Sequence, residues 1–234
     1  MRPFTLLLAA AALLCAATAV QAQQFAQPSF SFSHKKPAYV TLTDGTTLEG
    51  EIKDLDRKKG LIEEVKIKDT SGKKHKLDPE EIKHMYLAPS GWDNMTNALD
   101  KMYDTQRWDE DLDANKLKEG YVYFETVPVM VKKKQRTLLM QLLNPATATG
   151  IRVYHDPYAK ETMSAGVGGF TLAGGDAKSY YVMRDGKPAY RLYKKTYDDQ
   201  YASLYAGCDN VLNDENAMRW SSFQDHVNNY AACN

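Results

Sequence analysis

Alternating apolar and polar positions characterise the chain between residues 37 and 88. Val40 and Leu42 are separated by a threonine, and Val65 and Ile67 are separated by a lysine. A period of two is typical of strands that bury one face and expose the other. We therefore predict a series of short strands in this region.

Turn-forming residues divide these strands. Asp44-Gly45 is a strong hairpin signal, because a type I′ turn needs a positive φ at both central positions. Residues 54–60 are rich in charge and are predicted to form a loop. Asp78-Pro79 is typical of the start of a helical turn, since aspartate caps the turn and proline suits its first position. Five short strands with one helical turn before the last predict a small SH3-like five-stranded barrel over residues 37–88.

Two segments interrupt the strand pattern. Residues 23–36 are polar and aromatic without a clear period, and we predict that they form a mobile arm. Large apolar residues recur at helical spacing from Trp92 to Tyr103, and an acidic stretch over 109–113 follows. Residues 89–119 are therefore predicted to form a helical and acidic linker.

A second β-rich region, residues 120–234, is predicted to be antiparallel and to end in two helices. Its strand candidates are 121–127, 137–143, 151–155, 178–184 and 188–193. Asp185-Gly186 repeats the hairpin signal between the last two strands. The helices are predicted from two apolar stripes, which are Tyr197, Tyr201, Leu204, Tyr205 and Cys208, and Phe223, Val227, Tyr230 and Ala231. The predicted fold class is α+β, and mostly β.

The composition is that of a folded protein. Hydrophobic residues make up 43% and charged residues 26% of the 234 positions, which excludes a disordered chain, a collagen and a multi-span membrane protein. Lys plus Arg and Asp plus Glu both number 30, so the formal net charge is zero. A general nucleic-acid-binding protein normally has a basic excess, and we therefore expect no nucleic acid as a partner.

The N-terminus has the features of a secretory signal peptide over residues 1–22. Arg2 gives a positive start, residues 6–20 form an uninterrupted apolar run, and Ala22 is a small residue where a signal peptidase cleaves. The run is shorter than the ~20 residues that span a bilayer, which argues against the alternative of an uncleaved membrane anchor. We predict cleavage near Ala22 and export to the periplasm, the outer membrane or the cell exterior.

Export changes the interpretation of the cysteines. Cys15 lies within the signal peptide, so Cys208 and Cys233 remain as an even number in an oxidising compartment. We therefore predict a Cys208–Cys233 disulfide that joins the two C-terminal helices. The alternative is a catalytic thiol paired with a histidine, and no flanking motif supports it.

No catalytic, metal-binding or cofactor-binding motif is legible in the sequence. Residues 109–115 alternate oxygen ligands as a calcium loop does, but the glycine and glutamate required at its sixth and twelfth positions are missing. The glycine-rich segment 166–175 lacks the lysine spacing of a phosphate-binding loop and is predicted to be a flexible loop. The histidines have no metal-ligand spacing.

A basic run over residues 132–136 lies at a predicted hairpin. Outside the cell such a run can contact an anionic lipid or polysaccharide. It can also simply keep a sheet edge from pairing with another molecule. The second interpretation is favoured, because short charge runs are usually solvated.

Several segments carry a resemblance to known proteins. They are residues 37–52, which include Tyr39, Asp44-Gly45 and Gly50, then residues 150–154 and 180–182, and the cysteine segments 206–209 and 229–233. Together they resemble a group of uncharacterised secreted proteins from Bacteroidetes-type bacteria, in which the first segment opens a small β-module. The resemblance implies this topology and an exported location, and it implies no chemistry, because the group has no established activity.

Two hypotheses for function follow. The first is a non-enzymatic component of the bacterial envelope that binds another envelope protein, a glycan or a membrane surface. The second is a secreted enzyme of the hydrolase type, whose catalytic groups meet only in the folded chain. The first is favoured because no catalytic motif is legible, and a pocket with convergent carboxylates or a Cys/His contact would favour the second.

Overall fold

The computed structural model describes residues 24–91, 112–159 and 177–233. Its strands are β1 (Ala38–Leu42), β2 (Thr47–Lys58), β3 (Leu61–Asp69), β4 (Lys74–Leu77), β5 (Ile82–Leu87), β6 (Val122–Val131), β7 (Lys134–Gln141), β8 (Ile151–Tyr154), β9 (Ser179–Arg184) and β10 (Ala189–Tyr193). Its helices are α1 (Ala114–Lys118), α2 (Tyr197–Leu204), α3 (Asp209–Leu212) and α4 (Phe223–Ala231). The described chain is therefore mostly β, with short helices near its C-terminus, as predicted.

The ten strands belong to one sheet. Their order is β4-β3-β2-β1-β5-β6-β10-β9-β8, and β7 pairs with β6 outside this path. β6 pairs with β5 through residues 122–125 and with β10 through residues 129–130, while β7 lies along its other edge. The β10–β6 pair is parallel, so the prediction of a purely antiparallel second region is wrong at this position.

The predicted SH3-like barrel is not confirmed, because the sheet is not closed. The predicted helical turn is present at Pro79–Glu81, with Asp78 and Glu81 forming a capping box, and β5 follows it at the predicted position. The outer edge of β5, however, pairs with β6 and continues the sheet. The division of the chain near residue 88 stays a prediction.

The hairpin turns differ from the sequence-based expectation. Asp185 and Gly186 have φ values of 52° and 68°, as the predicted type I′ turn requires. At Asp44-Gly45 only Gly45 has a positive φ, of 87°, so the type I′ prediction is wrong there. The charged residues 54–60 are also not a loop, since β2 extends to Lys58 and the turn is confined to Lys59-Gly60.

The segment predicted as a mobile arm packs against the sheet over residues 24–33. Phe25, Ala26 and Phe32 are buried, and the backbone N–H of Ala26 donates to the carbonyl of Leu143 at 2.6 Å. Phe32 forms an isolated bridge with Pro89. The prediction failed because these apolar residues bury one at a time along an irregular backbone, which produces no period in the sequence.

The C-terminal helices form a layer that packs on strands β8 to β10. Both predicted apolar stripes are buried, together with Trp220. Arg184 fixes the end of α2, because its guanidinium donates to the carbonyls of Ser203, Leu204 and Ala206 at 2.5, 2.8 and 2.8 Å. Cations at a helix C-terminus also interact favourably with the helix dipole.

Cys208 and Cys233 form a disulfide, and their Cα atoms are 5.7 Å apart. Cys208 lies between α2 and α3, and Cys233 follows α4, so the bond joins the C-terminal helices as predicted.

Among the described residues, no helix is both long and apolar enough to cross a membrane. The predicted signal peptide 1–22, the helix between Trp92 and Tyr103, and the glycine-rich segment 166–175 lie outside the described residues.

Candidate ligand-binding groove

An open groove of about 1140 Å³ lies beside the turn between β6 and β7. Cationic side chains, tyrosines and two apolar residues line it: Lys59, Lys132, Lys133, Lys134, Arg136 and Arg191, then Tyr158, Tyr181, Tyr190 and Tyr193, then Met130 and Val131. No carboxylate is among these lining residues. The volume exceeds that of most small-molecule pockets, so the groove has room for part of an oligomeric ligand.

The β6–β7 hairpin places the basic residues at the groove. Val131 pairs with Lys134, and the turn between them is made by Lys132 and Lys133, with Lys132 at a φ of 59°. Lys134 and Arg136 then lie on one face of β7, because alternate residues of a strand share a face. The basic run that the sequence placed at a hairpin is therefore confirmed at that position.

Three of the lining tyrosines come from β9 and β10, and Tyr158 lies in the segment after β8. Tyr181 of β9 is paired with Arg191 of β10, and Tyr193 lies on the same face two residues further on. The guanidinium of Arg191 lies 5.1 Å from the ring centre of Tyr181, 5.2 Å from that of Tyr158 and 5.7 Å from that of Tyr193. Cation–π contacts of this length hold the rings and the cation together.

Asp156 anchors this cluster from below. Its side chain is 0% exposed, and its carboxylate accepts from Arg191 Nη2 at 2.7 Å and from Ser179 Oγ at 2.6 Å. The backbone N–H of Tyr158 also donates to it, at 3.0 Å. Because all these donors occupy a buried carboxylate, Asp156 holds Arg191 in place and is not accessible as an acid or base.

The groove is consequently electropositive. Asp156 balances Arg191, whereas no ion pair among the described residues involves Lys59, Lys132, Lys133, Lys134 or Arg136. Burial raises the pKa of Tyr181 above its usual value of 10.0. Its phenol therefore stays protonated at neutral pH and can donate a hydrogen bond.

Sequence reasoning found only one side of this groove. The basic run was visible as a local cluster of charge, but Tyr158, Tyr181 and Arg191 come from separate segments. The strand period predicted that residues two apart on β10 share a face. It could not indicate which strand lies beside β10, and that neighbour decides which residues meet.

A second cluster of polar side chains surrounds Glu125. Arg152 Nη1 donates to both carboxylate oxygens of Glu125 at 2.7 Å, and the hydroxyl of Tyr154 donates to Oε1 at 2.8 Å. Burial raises the pKa of Tyr154 well above its usual value, and the charge of Glu125 adds to this effect. Both oxygens of the carboxylate therefore accept hydrogen bonds, and we interpret the cluster as a structural ion pair.

The remaining candidates for chemistry are also held in structural contacts. Among the described residues, no group of three or more His, Cys, Asp or Glu side chains is placed to hold a metal ion. His75 pairs with Asp69 at 2.7 Å, and His226 lies 2.8 Å from the hydroxyl of Tyr197 in the helical core. Asp113, from the calcium-like run, caps α1, while Asp109 and Asp111 lie outside the described residues.

Comparisons with known protein families, with curated proteins and with solved structures find no match. The groove is therefore interpreted from its own geometry and charge.

Proposed function

We propose that this protein is a non-enzymatic, exported component of a bacterial envelope that binds an acidic glycan in the groove between the β6–β7 hairpin and β10. The observation that carries the proposal is the pairing of unbalanced cations with exposed tyrosine rings in one concavity. Tyr158 and Tyr193 are 43% and 38% exposed, respectively. Cations attract the acidic groups, and the rings offer apolar faces on which sugars can stack.

A glycan suits this groove better than a membrane surface does. A bilayer is bound by convex or flat surfaces that present apolar side chains outward, whereas these tyrosines lie inside a concavity. A single-stranded nucleic acid also uses cations and aromatic rings. The neutral net charge of the chain and its proposed export argue against a nucleic acid.

The non-enzymatic part of the proposal rests on how the acidic groups are used. Asp156, which holds Arg191 of the groove, and Glu125, in the buried polar cluster, both accept hydrogen bonds from an arginine. Cys208 is in a disulfide, which removes it as a nucleophile. No observation favours the hydrolase alternative.

Export and cleavage near Ala22 belong to the same proposal, as does membership of the secreted Bacteroidetes-type group. A disulfide is chemically favoured in an oxidising compartment, and the Cys208–Cys233 pair supports such a location. Intact-mass analysis of the native protein tests cleavage directly, since the mature chain is expected to begin at or near Gln23.

Binding assays with defined oligosaccharides test the glycan. We expect a heparin-derived hexasaccharide and a hexagalacturonate to bind, and neutral maltohexaose not to bind. Removing three charges at the rim, in the variant Lys132→Gln/Lys134→Gln/Arg136→Gln, is expected to weaken binding by at least about tenfold. The control is Lys73→Gln/Lys74→Gln/Lys76→Gln, which removes the same charge from the distant β3–β4 hairpin and leaves binding unchanged.

A further variant separates stacking from general charge attraction. Tyr158→Ala keeps every cation and is expected to weaken hexasaccharide binding several-fold. Equal loss of binding in the two triple variants would contradict the proposal, because it would show attraction to any basic surface. Preferential binding of phosphatidylglycerol vesicles or of oligothymidylate would replace the glycan with those partners.

A further inference from the structure

A second, smaller cavity lies behind the segment that carries Asp156. Arg57 of β2, His155 and Gln141 line it together with Ser29 and Gly60. Its free space is about 20 Å³, which is room for one particle of about the size of a water molecule. The cavity and the groove share no lining residue.

Two nitrogen atoms of its walls are buried without a hydrogen-bond partner. They are Nη2 of Arg57 and Nε2 of His155. The ring of Phe30 touches both groups, because it lies 5.9 Å from the Arg57 guanidinium and 5.5 Å from the His155 ring. Buried polar groups are normally satisfied, so two unsatisfied donors at one cavity require an explanation.

The charge of Arg57 makes the requirement stronger. Burial lowers the pKa of its guanidinium, yet an arginine remains protonated in proteins. No carboxylate is among the residues that line the cavity. Asp56, which precedes Arg57, pairs with Lys66 at 2.7 Å. Asp156, which follows His155, directs its carboxylate to Arg191, Ser179 and the Tyr158 N–H. A partly buried cation without an anionic partner is costly.

We propose that this cavity binds one small monovalent anion of the halide class, held by Nη2 of Arg57 and Nε2–H of His155. The anion supplies the missing negative charge and accepts from both nitrogens. Its size is set by the free space, which excludes polyatomic anions such as sulfate. The site is independent of the glycan proposed for the groove.

The anion also connects two separate parts of the chain. Arg57 belongs to the β2–β3 hairpin, whose Gly60 lies against Pro157, and His155 belongs to the segment after β8. An anion between them fixes the hairpin on this segment. Binding is therefore expected to stabilise the folded protein.

Thermal unfolding of the full mature chain at constant ionic strength tests the site. Replacing about 100 mM sodium gluconate with sodium chloride or bromide is expected to raise the melting temperature by about 2–4 °C. In Arg57→Gln this rise is lost. In Lys58→Gln, which removes a neighbouring exposed charge of the same strand, the rise persists.

Bromide binding is measured independently by the line width of the ⁸¹Br NMR signal, which the wild-type protein broadens and excess chloride restores. This measurement keeps the proposal falsifiable if Arg57→Gln does not fold. An unfolding temperature that is the same in gluconate, chloride and bromide, with no competitive broadening, would overturn the site and assign the cavity to a water molecule. Broadening that persists in a folded Arg57→Gln would also overturn it.

Discussion

His155 and Asp156 are neighbours in the chain and have opposite electrostatic surroundings. The Asp156 carboxylate accepts three hydrogen bonds, one of them from its ion-pair partner Arg191, so its charge is stabilised. The imidazole of His155 faces a small cavity and has an unpartnered Nε2. Burial lowers the pKa of His155 from 6.5 to about 4; the charge of Asp156 opposes this shift, and Arg57 adds to it.

This pKa predicts a dependence of stability on pH. Between the unfolded value of 6.5 and the folded value of about 4, the unfolded chain binds more protons at this residue. The contribution of His155 to the free energy of unfolding is thus fully present above pH 6.5. It is lost as the pH falls from 6.5 to about 4.

Urea unfolding in halide-free buffer at about pH 7 and about pH 5 measures this dependence. His155→Gln is expected to flatten it. An unaltered slope in His155→Gln would assign the acid sensitivity to other groups.

At the scale of elements, two hairpin turns with similar backbone angles differ in their contacts with the rest of the molecule. Lys59-Gly60 and Asp185-Gly186 are both two-residue turns with positive φ at both positions. They differ in surroundings, since a Cβ on Gly60 would lie 2.6 Å from the Cβ of Pro157, whereas a Cβ on Gly186 would meet nothing within 4 Å. Gly60 is therefore needed both for the positive φ of the turn and for the close contact of the turn with Pro157.

The two glycines are expected to respond differently to alanine. Gly186→Ala costs only the positive φ, about 1 kcal/mol of unfolding free energy. Gly60→Ala adds a steric clash with Pro157 and is expected to cost about 1–3 kcal/mol more. Chemical denaturation of both variants measures the difference. Equal losses would show that the hairpin tip does not dock on Pro157 in solution.

The same elements show what sequence patterns could predict. β5 and the helical turn that begins at Asp78-Pro79 were predicted at their observed positions, because a strand period and a cap are local properties. The extension of β2 through residues 54–58 was missed, because its charged side chains pair across strands, as Lys66 does with Asp54 and Asp56. Charge there indicated a loop, while the observed structure is an exposed strand.

At the scale of the whole molecule, partners distant in sequence determine both the sheet and the groove. The path from β5 to β6 and the parallel β10–β6 pair cannot be read from periodicity, which specifies a face but no neighbour. The groove was therefore predictable only as a basic hairpin. The Cys208–Cys233 pair was predictable, because the predicted removal of residues 1–22 leaves one possible partner for each cysteine.

The disulfide is expected to stabilise the helical layer. It closes a loop with a sequence separation of 25 residues, for which the chain-entropy model gives about 3 kcal/mol. Cys208→Ser/Cys233→Ser should lower the melting temperature in oxidising buffer and should respond no further to a reductant. Titration of the unfolded, unreduced wild-type protein should find no free thiol. Two titratable thiols would contradict the bond.

The parallel pairing of β10 with β6 has a consequence for the order of folding. The β1–β2, β2–β3 and β3–β4 pairs join strands that are consecutive in the chain, whereas Ala189 pairs with Val129 across about 60 residues. Pairs that close long loops form slowly, because the entropy of closure is lost before the contact is gained. The groove tyrosines of β9 and β10 meet the basic β6–β7 hairpin only when this pair forms. The proposed binding groove is thus complete only after this long-range pair has formed, and we expect it to be among the later features to fold.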